Sequence, residues 1–252
     1  MRISIIVPVL NEATILRDFL GRIRALAPGG EIIVVDGGSE DGSLALARDL
    51  ADQSVPSSPG RATQMNAGAA LAQGDVLWFV HADSVIASNS IRAIEEVLSS
   101  RKVVGGCFRL RIDSPRWVYR VRDGIGNFLV GLFDLALGDR GFFCRQEIFS
   151  KIGGYPEVAF LEDAAFYRKL KKEGRVVQLK ARIRTSARRY EELGPVFTMF
   201  FYALIMLLYV MRVPLPILES IVRSYMEKRM ARAGTARRAL PKLEERPPPA
   251  GP

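Results

Sequence analysis

The sequence predicts an α/β fold in which a mixed, mostly parallel sheet is flanked by helices and followed by a C-terminal hydrophobic helical appendage. Three observations carry this expectation. Apolar, β-branched runs recur at Ile3–Val9, Glu31–Val35 and Val76–Val80, nearly continuous, as in strands covered on both faces. Helical patterns stand between them, the alternation that builds a parallel sheet. Acids close two of the runs, Asp36 and Asp83, on the rim where open α/β sheets bind ligands.

In order, Ile3–Val9 is the first strand, too short and wrongly flanked for a secretory signal. Apolar residues at Ile15, Leu16, Phe19, Leu20, Ile23 and Leu26 fit one helix face. Glu31–Val35 leads through Asp36-Gly-Gly-Ser-Glu-Asp-Gly-Ser43 into a helix reaching about Leu50. A third helix around Ala62–Ala72 is ended by Gly74, and the strand Val76–Val80 follows. A helix near Ile91–Leu98 and an extended stretch Val103–Ile112 come next, then turns and short elements to about Tyr155. Leu161–Glu173 predicts a helix with Glu162 and Asp163 in its first turn and Lys169, Lys171 and Lys172 in its last, the order a helix dipole favours.

With 252 residues the chain can bury one large core plus an appendage. The predicted divisions are 1–190, 191–232 and a disordered tail over 233–252, where Pro and charge dominate. Cys107 and Cys144 lack CxxC spacing and sit in apolar surroundings, so reduced buried thiols and a cytoplasmic location are expected. The net charge of +9 is uneven: residues 1–167 hold 17 Lys+Arg against 20 Asp+Glu, and residues 168–252 hold 19 against 7. Basic character confined to one end, without interleaved stacking aromatics, argues against nucleic acid as the partner.

A carboxylate at a strand's carboxyl end can accept hydrogen bonds from a base or ribose, and another can hold Mg²⁺ or Mn²⁺ against a departing diphosphate. Each acid alone reads equally well as a turn former; two on one rim point to a site.

Ser4-Ile-Ile-Val-Pro-Val-Leu-Asn-Glu12, Val35-Asp-Gly-Gly-Ser-Glu-Asp-Gly-Ser43, His81-Ala-Asp-Ser84, Gly153-Gly-Tyr155 and Glu162-Asp163 resemble, in that order, the motifs of glycosyltransferase family 2. The resemblance covers about residues 1–190 and is greatest to a bacterial subgroup of undefined substrate. It implies the nucleotide-sugar transferase fold called GT-A and an inverting, hexosyltransferase-type reaction on a nucleotide-sugar donor, with a UDP-sugar favoured. On the matching positions it implies Pro8, Glu12 and Asp36 lining the nucleoside pocket, Arg61 near the base or diphosphate, Asp83 on the metal and Asp163 as the general base. The family's Asp-x-Asp has His81 in its first position here; a neutral imidazole can ligate Mn²⁺, and a strand-end core histidine is the alternative. Glu162 is expected to orient loop or acceptor groups. Asp139 and Arg140, between metal strand and base helix, are expected on acceptor or donor, or paired with each other. Arg188 and Arg189 can clamp a phosphate or form a solvated basic face.

Residues 193–211 carry no charge, and Val196–Met211 is dense in Phe, Leu, Ile, Met and Tyr. As a helix those 16 residues reach about 24 Å, short of a hydrocarbon core near 30 Å. Basic residues flank both sides, so an in-plane or re-entrant anchor on the cytoplasmic face of the inner membrane is expected rather than a span. Ile217, Leu218, Ile221, Val222 and Tyr225 predict a second, amphipathic helix. The expected protein is therefore a membrane-associated, metal-dependent transferase with a sugar or lipid-linked acceptor. The alternatives are a homodimer joined through the apolar helix and acting on a soluble acceptor, or a non-catalytic nucleotide-sugar-binding protein.

Overall fold

The computed structural model describes residues 1–133, 136, 138–158, 161–187, 190–191 and 194–232. Arg188, Arg189 and the predicted tail lie outside them. The chain divides into two compact units, Met1–Glu191 and Glu192–Pro252.

The first unit opens as the alternation predicts. Strand β1 (Ile3–Val9), helix α1 (Ala13–Leu26), β2 (Glu31–Asp36), α2 (Ser43–Leu50), β3 (Gln53–Pro56), α3 (Arg61–Leu71) and β4 (Val76–Phe79) follow one another. Strands β1 to β4 are parallel neighbours, and every residue of β1, β2 and β4 is buried. Then come β5 (Val85–Ile86), α4 (Ser90–Leu98), β6 (Val103–Asp113), α5 (Trp117–Phe133), β7 (Phe143–Arg145), α6 (Gln146–Lys151), α7 (Glu162–Glu173) and β8 (Arg175–Ser186). The eight strands form one sheet in the order β3-β2-β1-β4-β7-β6-β8-β5. Strand β7 runs antiparallel between β4 and β6, β8 is parallel to β6, and β5 is antiparallel to β8. The sheet is therefore mixed and mostly parallel, with helices on both faces.

Each face has its own apolar cluster. Trp78, Phe108, Phe143 and Ile183 meet the α1 side chains Leu16, Phe19 and Ile23 on one face. Phe79, Phe142, Phe149, Tyr155 and Phe166 fill the other. Helix α3 sits unusually close to the sheet, because a Cβ on Gly68 would lie 2.6 Å from Ile6 Cγ2. From that position Gln64 donates to the carbonyls of Val9 (2.8 Å) and Val35 (2.9 Å), tying together the carboxyl ends of β1 and β2. Both cysteines are free and buried, as expected, and burial pushes the Cys107 thiol up to about 12.

The helix α5 corrects the expectation of turns between Val103–Ile112 and Tyr155. Its sequence hides it: Gly124, Gly126 and Gly131 are poor helix formers, and its inner face mixes Asp123 with Tyr119 and Val130. Beyond the short β7 pairing, one edge of β6 lacks a strand. Asn127 and Asp123 replace it: Leu110 N–H donates to Asn127 Oδ1 (3.0 Å), Asn127 Nδ2 donates to the Leu110 carbonyl (3.0 Å), and Ile112 N–H donates to Asp123 Oδ2 (2.9 Å). Strand β8 was also not anticipated, because its outward positions Lys180, Arg182 and Arg184 mask the alternating buried Leu179, Ile183 and Thr185.

In the second unit, helix α8 (Pro195–Val210) starts with proline in its first turn, and α9 (Leu215–Arg232) covers the predicted second helix. Tyr225 stacks on Phe201 with ring centroids 3.6 Å apart and lies 3.0 Å from Thr198 through its hydroxyl. Among the described residues no helix is long and apolar enough to cross a membrane.

Asn127→Leu should lower the unfolding free energy by about 2–3 kcal/mol in urea denaturation, since it strands a buried N–H and C=O of β6. A change within a few tenths of wild type would show that the edge of β6 needs no cap.

Candidate active site

The loops that leave β1 and β2 are knitted into one floor. Asn11 N–H donates to Ser39 Oγ (2.8 Å) and Asn11 Oδ1 accepts from Glu40 N–H (2.9 Å). Asp41 accepts from Ala13 N–H (2.9 Å), and Ser43 Oγ accepts from Glu12 N–H (3.0 Å). Glu12, just before α1, is half-buried at this floor, and Pro8 is buried in β1 opposite Val35. Asp36 closes β2 with one oxygen spent: Oδ1 accepts from the N–H groups of Gly38 (2.8 Å) and Ser39 (2.7 Å). Its Oδ2 is buried with no partner. An orphaned carboxylate oxygen at a sheet's carboxyl rim is costly unless a ligand donor completes it.

Beside this floor stands a charged cluster drawn from four segments. Arg61, the first residue of α3, places Nη1 3.3 Å from Asp139 Oδ1 and 3.8 Å from Glu162 Oε1. Its proton is held still more tightly than usual, by Asp139 first and then by Glu162, Asp163 and Asp83, against the opposing effect of burial. Asp139 Oδ1 also lies 3.2 Å from His81 Nε2, just past β4.

Glu162 and Asp163 open α7 and are both buried, at 7% and 6% exposure. They reach the rim because Leu161 turns the chain in the left-handed region, φ 66°, which costs a side-chain-bearing residue on the order of 1 kcal/mol. Tyr155 supports α7 from behind, stacked on Phe166 at 3.9 Å. Asn66 of α3 pins Tyr155 through both its N–H and its carbonyl, each at 2.9 Å. Burial pushes the Asp163 carboxyl well above its ordinary range; Glu162 and Asp139 add to the shift, and Arg61 and Arg140 oppose it.

The model of glycosyl transferase family 2 matches residues 4–158. The chain belongs to glycosyltransferase family 2. A curated member of Mycobacterium tuberculosis, described as an uncharacterized glycosyltransferase, is 32% identical over 165 residues, 61% of this chain and 62% of the relative. The chain thus spans under two thirds of the length of that relative. The undecaprenyl-phosphate 4-deoxy-4-formamido-L-arabinose transferase of Aeromonas hydrophila is 33% identical over 127 residues, 44% of this chain and 38% of that one. Among solved structures, the mannosyltransferase of Pyrobaculum calidifontis in complex with GDP-Man and Mn²⁺ superposes with a TM-score of 0.62 at 20% identity, covering 95% of this chain and 76% of that one. That likeness shows the GT-A fold.

Within this family member the structure gathers Arg61, Asp83, Asp139, Glu162, Asp163 and His81 on one rim, with Asp36, Glu12 and Pro8 at the neighbouring floor. Arg140 is buried, donating to Asn127 Oδ1 (2.7 Å) and to the Gly126 carbonyl (3.3 Å), so its guanidinium holds α5 while its charge acts on Asp163. Gln64, Asn11, Asp41, Ser43 and Asn66 were not singled out from the sequence; only their place inside or beside the motifs marked them.

Among the described residues no group of three His, Cys, Asp or Glu side chains can hold a metal ion. The Nε2 of His81 already faces Asp139. Such a donor set fits a divalent ion that enters with a diphosphate and keeps most of its ligands from phosphate and water.

The raised Asp163 pKa has a consequence for stability. An acid whose folded pKa lies above its unfolded value binds more protons when folded, so stability falls as pH rises from about 3.8 through the folded pKa and stays reduced above it. Asp163→Asn removes that cost. It should raise the melting temperature by a few °C at pH 7–8 and by almost nothing at pH 3, below the unfolded pKa. Equal gains at both pH values would show that Asp163 is not the shifted group.

Proposed function

We propose that this protein transfers a sugar, with inversion, from a nucleoside diphosphate-sugar to a hydroxyl of a lipid-linked acceptor. The observation that carries the reading is the cluster in which one guanidinium, Arg61, faces Asp83, Asp139, Glu162 and Asp163 beside the orphaned Asp36 oxygen.

Asp36 accepts from the nucleoside, with Pro8 and Glu12 lining that pocket and uridine the expected base. Arg61 faces the diphosphate, and Asp83 holds a Mg²⁺ or Mn²⁺ ion that supplies charge neutralisation for the leaving group. Neighbours in the fold support the donor class, since one is held with GDP-mannose and Mn²⁺. The acceptor oxygen attacks the anomeric carbon opposite the phosphate. The bond from that carbon to the phosphate oxygen breaks, the acceptor proton passes to Asp163, and the nucleoside diphosphate leaves with the bonding pair. Burial suits Asp163 to this role, because a carboxylate with a raised pKa is a stronger base near neutral pH. Glu162 and Asp139 keep Arg61 in place while the charges shift.

A lipid-linked acceptor is supported by the named activity of the Aeromonas relative. It is supported too by the exposed apolar surface of α8, including Phe197, Phe200, Leu204 and Leu207, which suits an in-plane anchor at the cytoplasmic face of the membrane. That relative's name specifies a phosphate acceptor, whose oxygen needs no base. Asp163 therefore separates the two chemistries.

The test is calorimetric titration with UDP-, GDP- and dTDP-sugars, with Mn²⁺ or Mg²⁺ and with chelator, followed by transfer assays on lipid extracts. Donor binding should be metal-dependent and should weaken at least about tenfold in Asp36→Ala. Asp163→Asn should bind donor as wild type does and lose about 10²–10⁴-fold in kcat. Full turnover by Asp163→Asn would replace the hydroxyl acceptor with a phosphate; absence of binding to every donor would overturn the transferase reading.

A further inference from the structure

Helix α5 has a mixed inner face, where Tyr119 and Val130 are buried beside Asp123 and Asn127, which cap β6, and Gly126, whose carbonyl accepts from Arg140. Its outer face carries Trp117, Val121, Ile125, Phe128 and Leu132, spaced by four, four, three and four residues. That spacing draws one stripe along a helix, about 22 Å from end to end. The five are 73%, 49%, 55%, 67% and 59% exposed. Only Met1 and Leu71 join them as exposed large hydrophobics of the first unit among the described residues, so the stripe is no random scatter.

The charge beside the stripe selects its occupant. Residues 109–132 carry five arginines against Asp113 and Asp123. Asp123 is buried in the β6 cap, and Asp113 lies 3.2 Å from Arg184. Arg120 is exposed on the helix itself, and Arg116 is engaged by Glu191 at 2.9 Å. A second copy of the chain docked symmetrically on this stripe would bring one arginine-rich border against another. An anionic bilayer instead meets apolar side chains with its acyl boundary and the basic border with its headgroups. A tryptophan at the end of the stripe suits that boundary, with its ring buried and its N–H among headgroups.

We propose that the outer face of α5 docks on an anionic lipid surface, lying in the plane of the interface. This goes beyond the transfer reading and is independent of it, and it uses a different surface from the α8 anchor. Docking there would hold the catalytic unit itself at the bilayer, through the helix that grips Arg140 next to Asp139.

The chain reports on the proposal directly. It has two tryptophans; Trp78 is fully buried in the core and Trp117 is 73% exposed. The experiment uses the full chain with phosphatidylcholine vesicles and with vesicles enriched in phosphatidylglycerol. On the anionic vesicles Trp117 emission should shift to the blue and be quenched by brominated acyl chains; Trp117→Phe should lose the signal. Phe128→Ser with Leu132→Ser should weaken vesicle binding at least about tenfold, and Arg120→Ala about fivefold, with unchanged circular dichroism and donor binding. Vesicle binding with no change at Trp117 would overturn the α5 surface and leave the α8 anchor standing. Trp117 already shielded from acrylamide without lipid would overturn it in favour of a protein cover, which sedimentation would assign to a second copy or to the chain itself. Loss of sugar transfer with an intact Trp117 response would strike the transfer reading alone.

Discussion

The Arg61 guanidinium is the charge on which the carboxyl edge of the sheet depends. Four carboxylates from three segments converge there, and like charges in a partly dry rim repel more strongly than in water. Asp139 contacts Arg61 from the segment before β7, Glu162 from the first turn of α7, and Asp83 and Asp163 act on it through space. Without a central cation these segments would be driven apart or protonated. Arg61 can stand there because α3 is pressed onto the sheet at Gly68 and tied to β1 and β2 through Gln64. The charged site is thus a product of packing a few residues away, between a glycine and two aliphatic side chains.

The parallel half of the sheet was legible from the sequence because its strands are buried on both faces and its helices carry one apolar face each. Hydrophobic periodicity records both directly. The site was legible where its residues lie at strand ends: Asp36 and Asp83 belong to the same local patterns that place β2 and β4. What joined them was not. The Arg61–Asp139 contact spans 78 positions, and nothing in either neighbourhood names the other. Arg140 illustrates the same limit, since an arginine beside a site acid is indistinguishable in sequence from one that turns inward to hold a helix.

The second half of the sheet was harder to read for a different reason. Strand β8 alternates charged outward positions with apolar buried ones, and α5 turns a row of large apolar side chains outward. In β8 the alternation survives and can be recovered once the arginines are taken as the solvent side. In α5 the periodicity is helical, but its buried face mixes Tyr119 and Val130 with Asp123, because part of its task is to satisfy the backbone of β6. Hydropathy alone does not tell the inner face of such a helix from the outer one.

At the rim, one guanidinium faces four acids, so a diphosphate arriving without further positive charge would meet net repulsion. Burial relieves part of this by favouring the protonated form of Asp163, but a protonated Asp163 cannot accept a proton. The arrangement therefore favours a donor that carries its own counter-charge into the site, since added positive charge stabilises the ionised carboxylate and offsets the diphosphate together.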